Sequence, residues 1–428
     1  MHQLILKNVG PIKNCEVSIT DFNVFTGAQA SGKSTIAKSV FFFRTVKDDI
    51  FYAIMKRNAM LFENSSLYKT VQRTLRNKFL QIFGTSRAMS NELLMEYHYD
   101  DTSYIRITLR LKEGADFISP NYVYFDFSKN IIDFLSQYNS KTPFSDIKTE
   151  LTNELNFLFN DKYDTIFIPA GRSLITLLTT QLSYIFTSMD ESQKRTIDYC
   201  TQKYIELISK IRPLLTDGIM GYYESMPFNK EYSTIIRKAI NLTNDILKGR
   251  YVFSNGEEKL FIDSDRFIKI NFTSSGQQEA VWIFNILLYQ LINNKRTFII
   301  LEEPEAHLYP DAQKQIMELL SLFMNSDNSL LITTHSPYIL GAINNLLYAS
   351  QVYNKADSNK RVQVERIISK DYFIQTCNAY FVNDGLIETC IDTDDSLIIN
   401  EVIDGASQVI NNDYDALFDI IYEEGYAV

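Results

Sequence analysis

The segment Gly27-Ala28-Gln29-Ala30-Ser31-Gly32-Lys33-Ser34-Thr35 constrains the fold most, because it satisfies GxxxxGK[ST] at every fixed position. A short apolar run, Asn23–Thr26, precedes it, and a Phe- and Ile-rich helical pattern, Ile36–Met55, follows it. That context predicts a strand, a tight loop and one helix. Glycine lets the main chain curl until successive N–H groups point at one centre, where phosphate oxygens are held. The positive end of the helix adds to the same field. Lys33 then supplies a point charge to β- and γ-phosphates, and the Ser34 hydroxyl is offered to Mg²⁺.

Two acids end a second apolar strand, Thr297-Phe-Ile-Ile-Leu-Glu302-Glu303-Pro304. A continuous apolar run suits a strand covered on both faces, and ligands of such parallel sheets bind at the carboxyl ends of the strands. Glu302 is expected to hold Mg²⁺, directly or through water, and Glu303 to polarise the water that attacks the γ-phosphate. A third buried strand, Leu330–Thr334, ends in Thr-His335-Ser-Pro, where a neutral or protonated imidazole could donate to the γ-phosphate and sense its loss.

Between these lies Thr273-Ser274-Ser275-Gly276-Gln277-Gln278-Glu279, ahead of the apolar helix Ala280–Leu291. Ser275 reads as the helix N-cap, with Gln278 or Glu279 completing a capping box. The same residues also suit a second phosphate-binding helix start, with Ser275, Gly276 and Gln277 as contacts.

The remainder predicts strands at Leu4–Leu6, Cys15–Ile19 and Thr165–Ile168, and antiparallel strands over Glu92–Leu111 and Asn121–Phe127. Arg250–Phe253, Lys259–Ile262 and Phe267–Asn271 read as three more, the first two joined by the turn Asn-Gly-Glu-Glu. Helices are expected at Lys69–Lys78, at Glu150–Phe159 and for about eighty residues after Gly171, with a break at IRPLLTDGIMGYY. The tail from Val362 mixes short strands with a final acidic helix.

Lys plus Arg total 42 against 52 Asp plus Glu, a formal charge of −10, which argues against a general nucleic-acid coat. A local basic groove stays compatible with that balance. Lys69, Arg73, Arg76 and Lys78, or Lys194, Arg195, Lys203 and Lys210, could line one or could be solvated faces. The cysteines, Cys15, Cys200, Cys377 and Cys390, form no CxxC pair, which suits a reducing, cytoplasmic location. No signal peptide is read, and the longest apolar stretches, such as Ile283–Ile292, are too short to span a bilayer.

In this order, the four motifs resemble those of the ABC-type ATPase superfamily, and within it the RecF/OLD/SMC-like branch of bacterial AAA proteins. The resemblance covers roughly Met1–Met55 and Tyr251–Leu347, with FIPAGR around Thr165–Ser173 similar to a strand-and-arginine element of the OLD-like group. GAQASGKS then corresponds to Walker A, SSGQQE to a divergent signature, FIILEEPEAHL to Walker B with its D-loop, and TTHSP to the switch histidine. The resemblance implies an α/β P-loop head of ABC-like type with a mixed sheet. A helical insertion subdomain, 171–249, would divide it into an N-terminal part, 1–170, and a C-terminal part, 250–428.

The resemblance further implies ATP and Mg²⁺ gripped between two head-to-tail copies of the chain, a homodimer or higher even oligomer, with Lys33, Glu303 and His335 catalytic. Stand-alone ATPases of this kind look like the ATPase subunits of anti-phage systems such as PARIS or Septu. That implies a separate effector partner such as a nuclease, with DNA as a further partner left open and no membrane. A nucleotide-gated scaffold with little turnover and a DNA repair or recombination ATPase are the alternatives. Three departures stand out. The signature is not LSGGQ, no heptad arm is present, and the glutamine loop has only Gln181 and Gln193 as candidates. Arg172 is expected to reach a phosphate or a partner's acidic loop, and His307 to shape the loop between protomers or merely to pack.

Overall fold

The computed structural model describes residues 1–59, 66–110, 122–138, 147–177, 197–226 and 233–399, with the isolated residues 119, 188–190 and 402. Gln181, Gln193, Lys194, Arg195 and the expected final acidic helix lie outside the described residues.

Three sheets organise the described chain. The strands β3 (Phe22–Thr26), β7 (Asp164–Ile168), β11 (Thr297–Glu302), β12 (Ser329–Thr334), β13 (Asn378–Asn383) and β14 (Leu386–Thr389) form a mixed sheet in the order β14-β13-β3-β12-β11-β7. All neighbours are parallel except the β13–β14 hairpin. Every residue of β3, β11 and β12 is buried, as the continuous apolar runs require. Side chains alternate between two cores. Val24, Ile299, Leu301 and Ile332 face one, and Phe25, Phe298, Ile300 and Leu331 face the other.

The second core is closed by an antiparallel sheet, β2-β1-β4-β5-β6, and by helices beginning with α1 (Lys33–Arg44). Its strands are β1 (His2–Val9), β2 (Ile12–Ile19), β4 (Leu94–His98), β5 (Tyr104–Leu109) and β6 (Val123–Phe127). The first core takes in Tyr199–Ile211, Gly218–Ser225 and Ser233–Leu247, together with the helices after Ser275. A small sheet of β8 (Arg250–Ser254), β9 (Glu257–Phe261) and β10 (Phe267–Lys269) flanks it. Its first turn, Asn255-Gly256, has φ of 55° and 74°, the doubly left-handed form that a two-residue hairpin demands.

Three expectations are corrected. The helix expected over Ile36–Met55 is two, Lys33–Arg44 and Val46–Ala59, broken at Thr45. The Thr45 hydroxyl donates back to the carbonyl of Phe41 and accepts from Lys78 Nζ at 2.6 Å. The basic stripe is not a surface feature throughout, because Lys78 is buried and ion-paired with Asp49. Val362 lies within the helix Ser358–Ile367, and the tail strands join the central sheet beside β3.

Among the described residues no helix is long and apolar enough to cross a membrane.

Candidate functional site

Parallel pairing places the ends of β3, β12, β11 and β7 at one edge: Thr26 pairs with Thr334, Glu302 with Thr333 and Leu301 with Ile168. All the motifs but the signature leave the sheet there.

The phosphate loop needs its glycines. Gly27 has φ of 135°, and a Cβ there would stand 2.1 Å from the carbonyl oxygen of Val382 on β13. Gly32 has φ of 114°, and its Cβ would meet Ile12 at 2.3 Å. Ala30 adopts φ of 60°, so the loop curls through left-handed conformations. No side chain caps α1 at Gly32, which leaves its first N–H groups for an anion. Ala28, Gln29, Ala30 and Ser34 are exposed, whereas Ser31 and Lys33 are buried.

Lys33 Nζ donates to the carbonyls of Gly27 (2.9 Å) and Ala28 (2.7 Å) and lies 3.5 Å from His335 Nδ1. Burial depresses its pKa to about 8, against the opposing pull of Glu303 and Glu305. His335 Nε2 lies 3.3 Å from Glu303 Oε1. One neutral tautomer satisfies both contacts, with Nδ1 accepting from Lys33 and Nε2–H donating to Glu303; the assignment follows from the hydrogen-bond network.

The acid loop is held on all sides. Glu303 sits at φ of 43°, its N–H donating to Thr333 O at 2.9 Å. Glu302 is 5% exposed; its Oε2 accepts from Ala170 N at 3.2 Å, while its Oε1 is buried without a partner. Glu305, which sequence reasoning passed over, accepts from the Thr334 hydroxyl (2.7 Å) and from His335 N (2.8 Å). The third acid of Glu-Glu-Pro-Glu was its signal.

The signature helix is Ser275–Ile292, one residue earlier than expected: Ser274, not Ser275, is the N-cap, and Gln277, not Gln278 or Glu279, completes the capping box. Gln277 is committed further, donating to Leu247 O at 2.7 Å. Ser275 stays exposed. Gly276 packs against the chain's own acid loop, since a Cβ there would stand 2.5 Å from His307 O. His307 itself is left-handed, at φ of 59°.

Arg172 departs most from expectation. Its side chain is 0% exposed, so it reaches no phosphate and no partner. Nη1 donates to Pro169 O (2.7 Å) and Glu302 O (2.6 Å), and Nη2 to Glu303 O (2.8 Å). Nε donates to Glu279 O at 3.1 Å and pairs with the Glu279 carboxylate at 3.2 Å.

A family model described as AAA ATPase domain matches residues 1–340. The chain belongs to that family. No curated protein matches the sequence. Among solved structures, an Smc head bound to the C-winged helix domain of ScpA is similar at 14% identity and a TM-score of 0.40, covering 90% of this chain and 95% of that one. An Smc head with an extended coiled coil, bound to the C-terminal domain of ScpA from Pyrococcus furiosus, gives 12% and 0.39, covering 96% and 100%. The SMC head from Thermotoga maritima gives 12% and 0.36, covering 90% and 97%. At these scores the likeness carries no argument about function or partners.

The residues of this AAA ATPase domain fit a nucleoside triphosphate with Mg²⁺. The uncapped helix start suits phosphate, and the unpartnered buried oxygen of Glu302 suits a cation, with the Ser34 hydroxyl as a further donor. Among the described residues no group of three or more His, Cys, Asp or Glu is placed to hold a metal ion. Ser34 and Thr35 also open onto a cavity of about 760 Å³ that runs past Asn8, Lys13, Phe83 and Thr85. A cavity of the same volume, about 760 Å³, is lined by Lys47, Asp48, Lys162, Asp164 and Arg296 and includes none of the motif residues.

Proposed function

We propose that the chain is a Mg²⁺-dependent ATP hydrolase whose site is completed by the exposed signature end of a second copy, so that a pair holds two sites, and that closure and opening of the pair control a separate effector. The observation that carries the hydrolytic part is the convergence of the uncapped phosphate loop, Glu302 and the Glu303–His335 pair at one sheet edge.

Each side chain has a defined task. The main-chain N–H groups at Gly32–Thr35 hold phosphate, and the nucleoside extends into the adjoining cavity. Lys33 exchanges the carbonyls of Gly27 and Ala28 for phosphate oxygens, which restores the full charge that burial weakens. Ser34 and Glu302 hold Mg²⁺, which when bound neutralises charge on the phosphates. Glu303 orients and polarises water, and His335 keeps that carboxylate aligned until Lys33 leaves Nδ1 for phosphate. Catalysis of this kind is positioning and charge stabilisation.

The shared site is supported by Ser275, which is exposed and is not the residue that caps its helix. An effector such as a nuclease, and a role in anti-phage defence, are supported by the motif resemblance alone. The test is complementation. Lys33→Ala and Ser275→Arg are each expected to abolish turnover when pure. Mixed in equal amounts, they regain roughly a quarter of wild-type activity, because half of the pairs carry one intact site. Full activity of pure Ser275→Arg, or no recovery on mixing, would sink the two-copy site. Gly276 is a poor probe, because substitution there disturbs the chain's own acid loop.

A further inference from the structure

We infer that Arg172 and Glu279 are positioning residues that tie the start of the signature helix to the backbone of Glu302 and Glu303, so that displacement of that helix withdraws the Glu303 carboxylate from its working position. The inference rests on the hydrolytic reading above and adds a means of transmission within one chain.

Sequence places the two residues 107 positions apart, on different elements. Arg172 follows the loop Pro169-Ala170-Gly171 after β7, and Glu279 lies in the first turns of the signature helix. Folding brings both into full burial, at 0% and 2% exposure. A buried pair of this kind adds little net stability, because desolvation offsets the attraction. What it fixes is geometry. The planar guanidinium holds its donors in a rigid fork, and here they reach four carbonyl oxygens, those of Pro169, Glu279, Glu302 and Glu303.

The Glu279 carboxylate is equally committed. Its Oε2 accepts from Arg172 N at 3.0 Å and its Oε1 from Ser173 N at 2.9 Å. The same loop holds the other acid through Ala170 N and Glu302 Oε2. One short segment therefore grips the signature helix, the end of β11 and the Glu302 carboxylate together.

The grip matters because Glu303 is in an unfavourable conformation. A non-glycine residue in the left-handed region is strained and persists only where its surroundings over-determine it. Its N–H is pinned by Thr333 O and its carbonyl by Arg172 Nη2 and Ala306 N. Without Arg172, the Glu302 and Glu303 carbonyls lose a buried donor, and the turn that aims Glu303 at His335 is free to relax. A second contact, Gly276 against His307 O, couples the same helix start to the far side of the acid loop.

Arg172→Lys and Glu279→Gln test this, since both retain most of the side-chain volume. Lysine keeps the charge without the fork, and glutamine keeps the shape without the charge. In each, kcat is expected to fall roughly 100-fold, the scale of a catalytic group misplaced by about 1 Å. KM and the dissociation constant of a fluorescent ATP analogue should stay within roughly threefold of wild type. Amide hydrogen exchange, read on nucleotide-free protein, should speed up roughly tenfold or more across 303–308 and stay unchanged across 27–35. Equal acceleration in both segments would mark general loosening and overturn the inference, as would unchanged exchange at 303–308. Absence of turnover in the wild type would overturn the hydrolytic reading alone, because the exchange measurement does not depend on it.

Discussion

The phosphate loop and the acid loop lie at the same sheet edge, yet they are secured in different ways. The phosphate loop is shaped from within. Gly27, Ala30 and Gly32 take left-handed conformations in a single stretch, and Lys33 closes it by donating to two of its own carbonyls. The acid loop is shaped from outside. Thr333, Arg172, Ala170 and Gly276, from three other elements, fix Glu302, Glu303 and His307. A loop of the first kind takes its hydrogen bonds from its own backbone, while Val382 and Ile12 only wall it. A loop of the second kind can be repositioned by whatever moves its supports, which suits a group that must act only in a closed assembly.

The largest test of this contrast compares two glycines that face carbonyl oxygens. Gly27→Ala meets both a forbidden φ and Val382 O at 2.1 Å, from a backbone that cannot easily give. A loss of about 3 kcal/mol or more is expected in denaturant unfolding, with nucleotide binding lost. Gly276→Ala is helical, so it gains up to about 1 kcal/mol of propensity against the close approach to His307 O. Its net cost should be about 1–2 kcal/mol, with binding kept and turnover reduced as the acid loop shifts. Equal losses of binding in the two variants would erase the distinction.

The same contrast decides what the sequence could reveal. The phosphate loop is contiguous, so its residues, its strand and its helix are all legible from spacing. The alternating strands β5 and β6 and the wholly buried β11 and β12, apolar through their middles, are legible because burial imposes their pattern. The Arg172–Glu279 pair is not, since nothing local marks two polar residues that meet only after folding. The split of the first helix at Thr45 escaped for a related reason, since the hydroxyl that bends it is held by Lys78 from another helix. The tail hairpin is also tertiary. Its Gly385 carbonyl accepts from Lys13 N and Asn14 N, and Val382 walls the phosphate loop, contacts with no signature in the tail itself.

A pH series sharpens the comparison. Burial holds Lys33 at about 8, so below that pH its ammonium is complete and above it the charge is lost in the free protein. A bound triphosphate favours the charged form. Affinity should therefore fall as pH rises past 8, by at most about tenfold per pH unit, with proton uptake on binding over the same range. Calorimetry in buffers of different ionisation enthalpy measures that uptake. Glu303 is the main group opposing the depression, so in Glu303→Gln the fall should begin at lower pH. An identical onset in both proteins would mean that the two loops do not sense each other through Lys33.

The smallest expected effect separates structure from function within two adjacent serines. Ser274 Oγ accepts from Gln277 N, and Gln277 Oε1 accepts in turn from Ser274 N at 3.0 Å. Removing that cap by Ser274→Ala should cost about 1 kcal/mol of stability. Ser275 is exposed and caps nothing, so Ser275→Ala should change stability by less than about 0.5 kcal/mol. Turnover is expected to run the other way, with Ser275→Ala losing more than its stability change explains if its hydroxyl meets a nucleotide on the second copy. Were both serines to affect stability and turnover in proportion, the motif would be an ordinary helix start, and the acid loop would be supported from outside without being signalled to.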